Sequence, residues 1–155
     1  MDLAAWIEAS ALARALRGSG NLYMVVNATH ILGIGILVGA ILPLDLRILG
    51  VLRGPSLTVL GPFLSRMAGL GLGLAMLTGI CLWSVRASEY LGNSAFRWKL
   101  ALLASGLANV ALLHRLGWGR LVATGRADGT TRLLSAISAL VWLATLLAGR
   151  WIGFL

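Results

Sequence analysis

The stretch from residue 21 to residue 44, NLYMVVNATHILGIGILVGAILPL, carries no Lys, Arg, Asp or Glu. A helix rises 1.5 Å per residue and needs about 20 mostly apolar residues to cross the hydrocarbon layer, so this run alone can span a bilayer. Three further apolar segments follow, and the sequence predicts spans at about residues 21–44, 64–85, 97–118 and 132–153. The third has the shortest charge-free core, but Trp98 and Trp118 bracket it as interfacial anchors. Lys99 and Arg115 can reach past the boundary on their aliphatic stems. The predicted fold is an all-α integral membrane four-helix bundle, a single transmembrane domain over residues 1–155.

Composition points the same way. Of 155 residues, 59% are hydrophobic and 12% charged, with a mean hydropathy of +0.90. Soluble domains carry roughly 45–50% apolar and about 25% charged residues. So short a chain cannot hide that much apolar surface in a water-soluble core, which excludes a soluble enzyme. Thirteen Lys and Arg against five Asp and Glu give a net charge of +8. These cations flank the apolar runs, so their expected partner is the lipid bilayer with its anionic headgroups, and not nucleic acid. The lone Cys81 precludes an intrachain disulfide.

Ahead of the first span, DLAAWIEASALARALRG predicts an interfacial amphipathic helix over about residues 2–17. Leu3, Trp6, Ile7, Leu12 and Leu16 share its apolar side, Asp2 is placed to cap its start, and Gly18 to Gly20 to end it. Asp2 and Glu8 argue against a secretory signal. An even number of spans puts both termini on one face. Six basic residues lie on that side and seven on the other, so the positive-inside rule favours external termini by one charge.

Polar side chains are costly in hydrocarbon and therefore mark the expected inner faces. Tyr23, Asn27 and His30 form one stripe on the first helix. Gly69, Gly73 and Met76 mark the second, Ser105 and Asn109 the third, and Ser135, Ser138, Trp142, Thr145 and Gly149 the fourth. Gly35-xxx-Gly39 and Gly69-xxx-Gly73 are expected to bring helices close together, or to admit a flat cofactor.

His30 is the most informative residue, being ionisable and deep in an apolar run. One reading makes it the axial, metal-binding ligand of a haem b, with Asn27, Gly33 and Gly35 lining a porphyrin slot. The other makes it a neutral histidine bonded to a Ser or Thr of the fourth helix. His114, at the far end of the third span, is a second candidate contact for the cofactor. Asp45, Arg47, Arg66 and Arg115 are expected near the same surface as His114, as a partly buried ion pair or an anion-binding cluster. Helix register puts His30 and His114 about 20 Å apart along the membrane normal, too far to share one iron. A sixth ligand would then come from elsewhere. Met24 and His30 point to different faces and Cys81 has no cysteine partner, which leaves no copper site. No nucleophile–base pair, phosphate loop or paired carboxylates occur, so the chain is not expected to be an enzyme on its own.

At HILGIGILVGAILPLDLRILG (30–50), NSAFRWKLALL (93–103), His114-Arg115 and LVWLATLLAGRWIGF (140–154), the chain resembles an uncharacterised family of small bacterial four-helix membrane proteins. The resemblance implies four helices in a bacterial inner membrane and no mechanism. The chain is also loosely similar to the CopD-like membrane domain and to the small membrane-type protoporphyrinogen oxidase, both haem-carrying bundles. The shared features are His30 on the first helix and Lys99-Leu100 opening the third. Two functions follow as expectations: a b-type haem electron-transfer subunit, or a non-catalytic accessory or assembly subunit of a larger membrane complex. Either would partner other membrane subunits or further copies of itself.

Overall fold

The computed structural model describes residues 3–154 and contains no strand among them. Two short helices open the chain, α1 (Leu3–Glu8) and α2 (Ala11–Gly18), and the first long helix is α3 (Gly20–Leu49). It is followed by α4 (Leu57–Val85), the short α5 (Ala87–Gly92), α6 (Ser94–Leu113), a π-helical segment (His114–Trp118), α7 (Gly119–Thr124) and α8 (Gly129–Trp151). Four continuous helical stretches are long and apolar enough to cross a membrane: Gly20–Leu49, Leu57–Val85, Ser94–Thr124 and Gly129–Trp151.

The helix boundaries follow local chemistry. Ser10 adopts extended backbone and its hydroxyl accepts from Ala13 N, so the amphipathic segment restarts there and forms two helices in place of the one expected. Asp2, read from sequence as its cap, lies outside the described residues. Ser19, Asn93 and Asp128 cap α3, α6 and α8 in the same way. Gly50 and Gly125 close α3 and α7 with left-handed backbone, φ +83° and +67°, which costs a residue without Cβ nothing. Past Leu44, where sequence ended the first span, α3 runs on to Leu49 with Pro43 in its interior. Membrane helices tolerate proline because neighbours re-satisfy the freed backbone group.

α3 and α4 form the closest pair. A Cβ at Gly33 would come within 2.7 Å of Ala75 N, and one at Gly71 within 2.8 Å of Gly33 O, so the two backbones touch at these glycines. The expected motifs do not make this contact. Gly35, Gly39, Gly69 and Gly73 have nothing within 4 Å of a modest added Cβ, and they lie on the outer surface. The buried edge of α4 includes Leu57, Gly61, Ala68, Gly71 and Ala75, about a third of a turn away from the predicted Gly69–Gly73–Met76 side.

α8 meets expectation: Ser135, Ser138, Trp142 and Thr145 are all buried. Trp142 packs with Leu37, Ala40, Ile41 and Ala68 at the centre of the bundle. Gly106 of α6 gives its indole a seat, since a Cβ there would stand 3.2 Å from the ring. A second cluster joins Leu44, Ile48, Leu57 and Leu121 toward the α7 end. On α6, Asn109 is buried and donates to Leu134 O at 3.0 Å, as an inner-face residue should. Ser105 instead faces outward and bonds its own helix at Ala101 O.

The π-helical segment widens the third span by part of a turn. It lets Gly117 settle against Thr131 of α8 while Leu121 still reaches the core. At the opposite end α1 and α2 fold across the helix ends. Ala4, Ala13 and Leu16 point inward, whereas Leu3, Trp6 and Leu12 are exposed, as a helix dipping into headgroups requires.

Candidate functional site

His30 sits half-buried between α3 and α4. Its Nδ1 lies 2.9 Å from Ala75 O and 3.1 Å from Thr78 Oγ1. A carbonyl can only accept, so Nδ1 carries the proton. Thr78 is free to accept too, because its own hydroxyl donates to Leu74 O at 2.6 Å. The tautomer of the neutral ring is thereby fixed, and Nε2 holds the lone pair. The ring also lies over Gly79, where a Cβ would press to within 3.1 Å of Cε1. The partner is thus on the second spanning helix, and the expected Ser or Thr of the fourth is not involved.

Other residues of the expected slot are placed differently. Gly33 is covered by α4 and sets the separation at which His30 reaches Ala75. Gly35 is open on the outer surface. Asn27 and Tyr23, the rest of the stripe, are exposed. Lys99 is half-buried at the start of α6, with its stem along Gly149 of α8.

His114 is far away. Its neighbour Trp118 lies against Gly61 of α4, fourteen residues and about 21 Å along that helix from the Ala75 carbonyl that His30 meets. His114 is exposed, bonds its own turn at Val110 O, and stacks on Trp118 at 4.8 Å between ring centroids. One iron cannot be shared by the two histidines within a chain. Among the described residues no three of His, Cys, Asp and Glu converge, so the donor set here is a single oriented imidazole. A single imidazole could hold a haem, whereas a metal ion held by protein ligands alone would need more donors than it supplies.

The expected cluster of Asp45, Arg47, Arg66 and Arg115 does not assemble. Asp45 is 2% exposed and faces α8, with Ser138 beside it. Arg47 is two residues on, hence on another side of the helix, and donates to Gly54 O and Pro55 O at 3.1 and 3.3 Å. Arg66 and Arg115 are exposed. Among the described residues the ion pairs are Arg86–Glu89 and Arg120–Asp128, and neither involves Asp45. What exists instead is a polar interior. Asp45 Oδ2, Ser135 Oγ and Trp142 Nε1 are all buried without a hydrogen-bond partner. The full burial of the Asp45 carboxyl against α8 was not foreseen, because the first span was expected to end at residue 44 and Asp45 to pair with an arginine near the surface.

At the face bearing the chain ends, α2, the first turn of α3, the last turn of α4 and α5 enclose an open groove of about 540 Å³. Arg17 and Arg86 stand at its rim with Tyr23 and Tyr90.

Four long apolar helices around a polar interior define a multi-pass membrane bundle. The chain belongs to a family of unknown function, DUF6644, whose model matches residues 3–155. No curated protein and no solved structure matches it.

Proposed function

We propose that the protein is a small subunit of a bacterial inner membrane that holds a b-type haem through His30 and carries electrons within a larger assembly. The observation that supports this is the Nδ1–H···O=C bond from His30 to Ala75, 2.9 Å long. Histidines that ligate metals characteristically give their other ring N–H to a carbonyl or carboxylate, which fixes orientation and raises ligand basicity. Ala75 and Thr78 would hold the imidazole, and Gly79 would leave it room. When bound, a haem would supply a one-electron couple whose potential depends on that ligand and on burial. A second copy, another subunit or water would supply any further contact that the haem needs. Charge balance across the spans favours external termini.

A second reading, a non-catalytic accessory subunit, draws support from the bare outer surface at Gly35, Gly39, Gly69 and Gly73, where a neighbouring helix could approach closely. An optical spectrum of protein purified from haem-replete cells separates the two. The haem reading expects a Soret band and reducible α and β bands, abolished in His30→Ala and kept in His114→Ala. A colourless preparation, or equal loss in both variants, overturns it.

A further inference from the structure

The groove at the face of the chain ends has an unusual electrostatic character. Arg17 is held rigidly: one terminal nitrogen donates to Val85 O at 2.9 Å and the other to Glu8 O. Two carbonyls occupy donors without cancelling the guanidinium charge. Arg86 meets Glu89 at 3.3 Å, but both side chains are more than two-thirds exposed, and such surface pairs are weak enough to be exchanged for another anion. The nearby Glu8 carboxylate is engaged by Ser88 N at 2.7 Å. Tyr90 is half-buried, and burial pushes its phenol above the ordinary range, so it remains a hydrogen-bond donor at neutral pH. Leu82 and Val85 make the apolar part of the lining.

This combination lies where α3 begins and α4 ends, at the level of the lipid phosphates if these helices span the bilayer. We propose that the groove binds one anionic phospholipid, its phosphate held by Arg17 and Arg86 with Tyr23 and Tyr90 donating, and its acyl chain laid along Leu82 and Val85. Two guanidinium groups and two hydroxyls match the several acceptor oxygens of a phosphodiester. The apolar wall matches a chain that a free anion lacks. Basic pockets between spanning helices are known to take anionic headgroups in this manner. The assignment does not rest on the haem reading.

The test uses the full chain in mild detergent, incubated with mixed vesicles of phosphatidylglycerol and phosphatidylcholine. Retained lipid is counted by native mass spectrometry. Phosphatidylglycerol should be retained in preference, and Arg86→Ala should lower that preference by about fivefold, the worth of one interfacial cation. Arg17→Ala also strips the contacts to Val85 and Glu8, so Tyr90→Phe serves as the second variant and keeps the packing; it should lower the preference as well. Circular dichroism confirms that each variant is folded. Equal retention of the two lipids, or unchanged preference in both variants, overturns the proposal. So does protection by inorganic phosphate alone, which would assign the site to a soluble anion. Loss of haem in place of lipid from Arg86→Ala would assign it to the carboxylates of a cofactor and overturn it equally.

Discussion

Replacing Gly71 by alanine should loosen the bundle more than any comparable change at the glycines of the outer surface. A Cβ at Gly71 would lie 2.8 Å from Gly33 O and 3.0 Å from Ile36 C, while ordinary contact begins at 3.4 Å. Every atom it meets is backbone, so neither side can turn away and the two helices must part by about 0.5 Å or more. One turn along α4 is Ala75, whose carbonyl receives His30 at 2.9 Å. Parting the helices stretches that bond toward 3.5 Å, beyond useful length. Overpacking costs about 1–3 kcal/mol and the lost hydrogen bond about 0.5–1.5 kcal/mol. The better helix propensity of alanine returns up to about 1 kcal/mol. A net loss of about 0.5–4.5 kcal/mol follows, with weakened retention of anything bound at His30. Gly35→Ala meets nothing within 4 Å and should be neutral or slightly stabilising. Unfolding in mixed detergent–dodecyl sulfate micelles, followed by circular dichroism, measures both. If Gly35→Ala were the more damaging of the two, the α3–α4 contact at Gly33 and Gly71 would be wrong.

Two further outcomes can be measured in the same way. Asp45→Asn should leave stability unchanged or raise it by about 1–2 kcal/mol, because the amide can keep its place beside Ser138 and no cation is stranded; a loss above about 1 kcal/mol would mean that the buried site requires the carboxylate. Glu8 is tied to Ser88 N, and this bond lowers its pKa below the ordinary 4.5. A group depressed on folding contributes stability above its unfolded value and loses it as pH falls through the folded one. The link between α1 and α5 should therefore open below about pH 4.5, changing quencher access to Trp6, and Glu8→Gln should flatten the profile; the same pH profile in the native chain and in Glu8→Gln would count against the link.

The membrane class was readable because hydrocarbon imposes it: residues 21–44 have one environment in which they are stable. The inner face of α8 was readable for the same reason, since Ser135, Ser138 and Thr145 recur at helical spacing and polar groups avoid lipid. The inner face of α4 was not. In GLGLGLAML, glycines alternate at 69, 71 and 73, so composition allows several helical phases and only the fit against α3 selects Gly71. Ser105 misled because a helical serine can bond the carbonyl four residues back and needs no interior partner. His30 was legible as a polar group in need of a partner, but the partner itself was not, because a backbone carbonyl at Ala75 leaves no trace in the sequence. Asp45 was expected in a partly buried pair with Arg66 or Arg47, whereas continued helix beyond Pro43 turns Asp45 and Arg47 apart and Arg66 is exposed.

The π-helical segment at His114–Trp118 gives the third span two independent phases. Upstream, Gly106, Asn109 and Leu113 are set for α8; downstream, Leu121 is set for Leu44 and Leu57. An uninterrupted α-helix advances 100° per residue and would force both sets onto one clock. The slip uncouples them, so the sequence around Trp142 can change without re-aiming the lower half of the helix, and the reverse. A single residue lost between His114 and Trp118 would thus act as a rotation of everything that follows, whereas several residues exchanged on either side would act as local repairs.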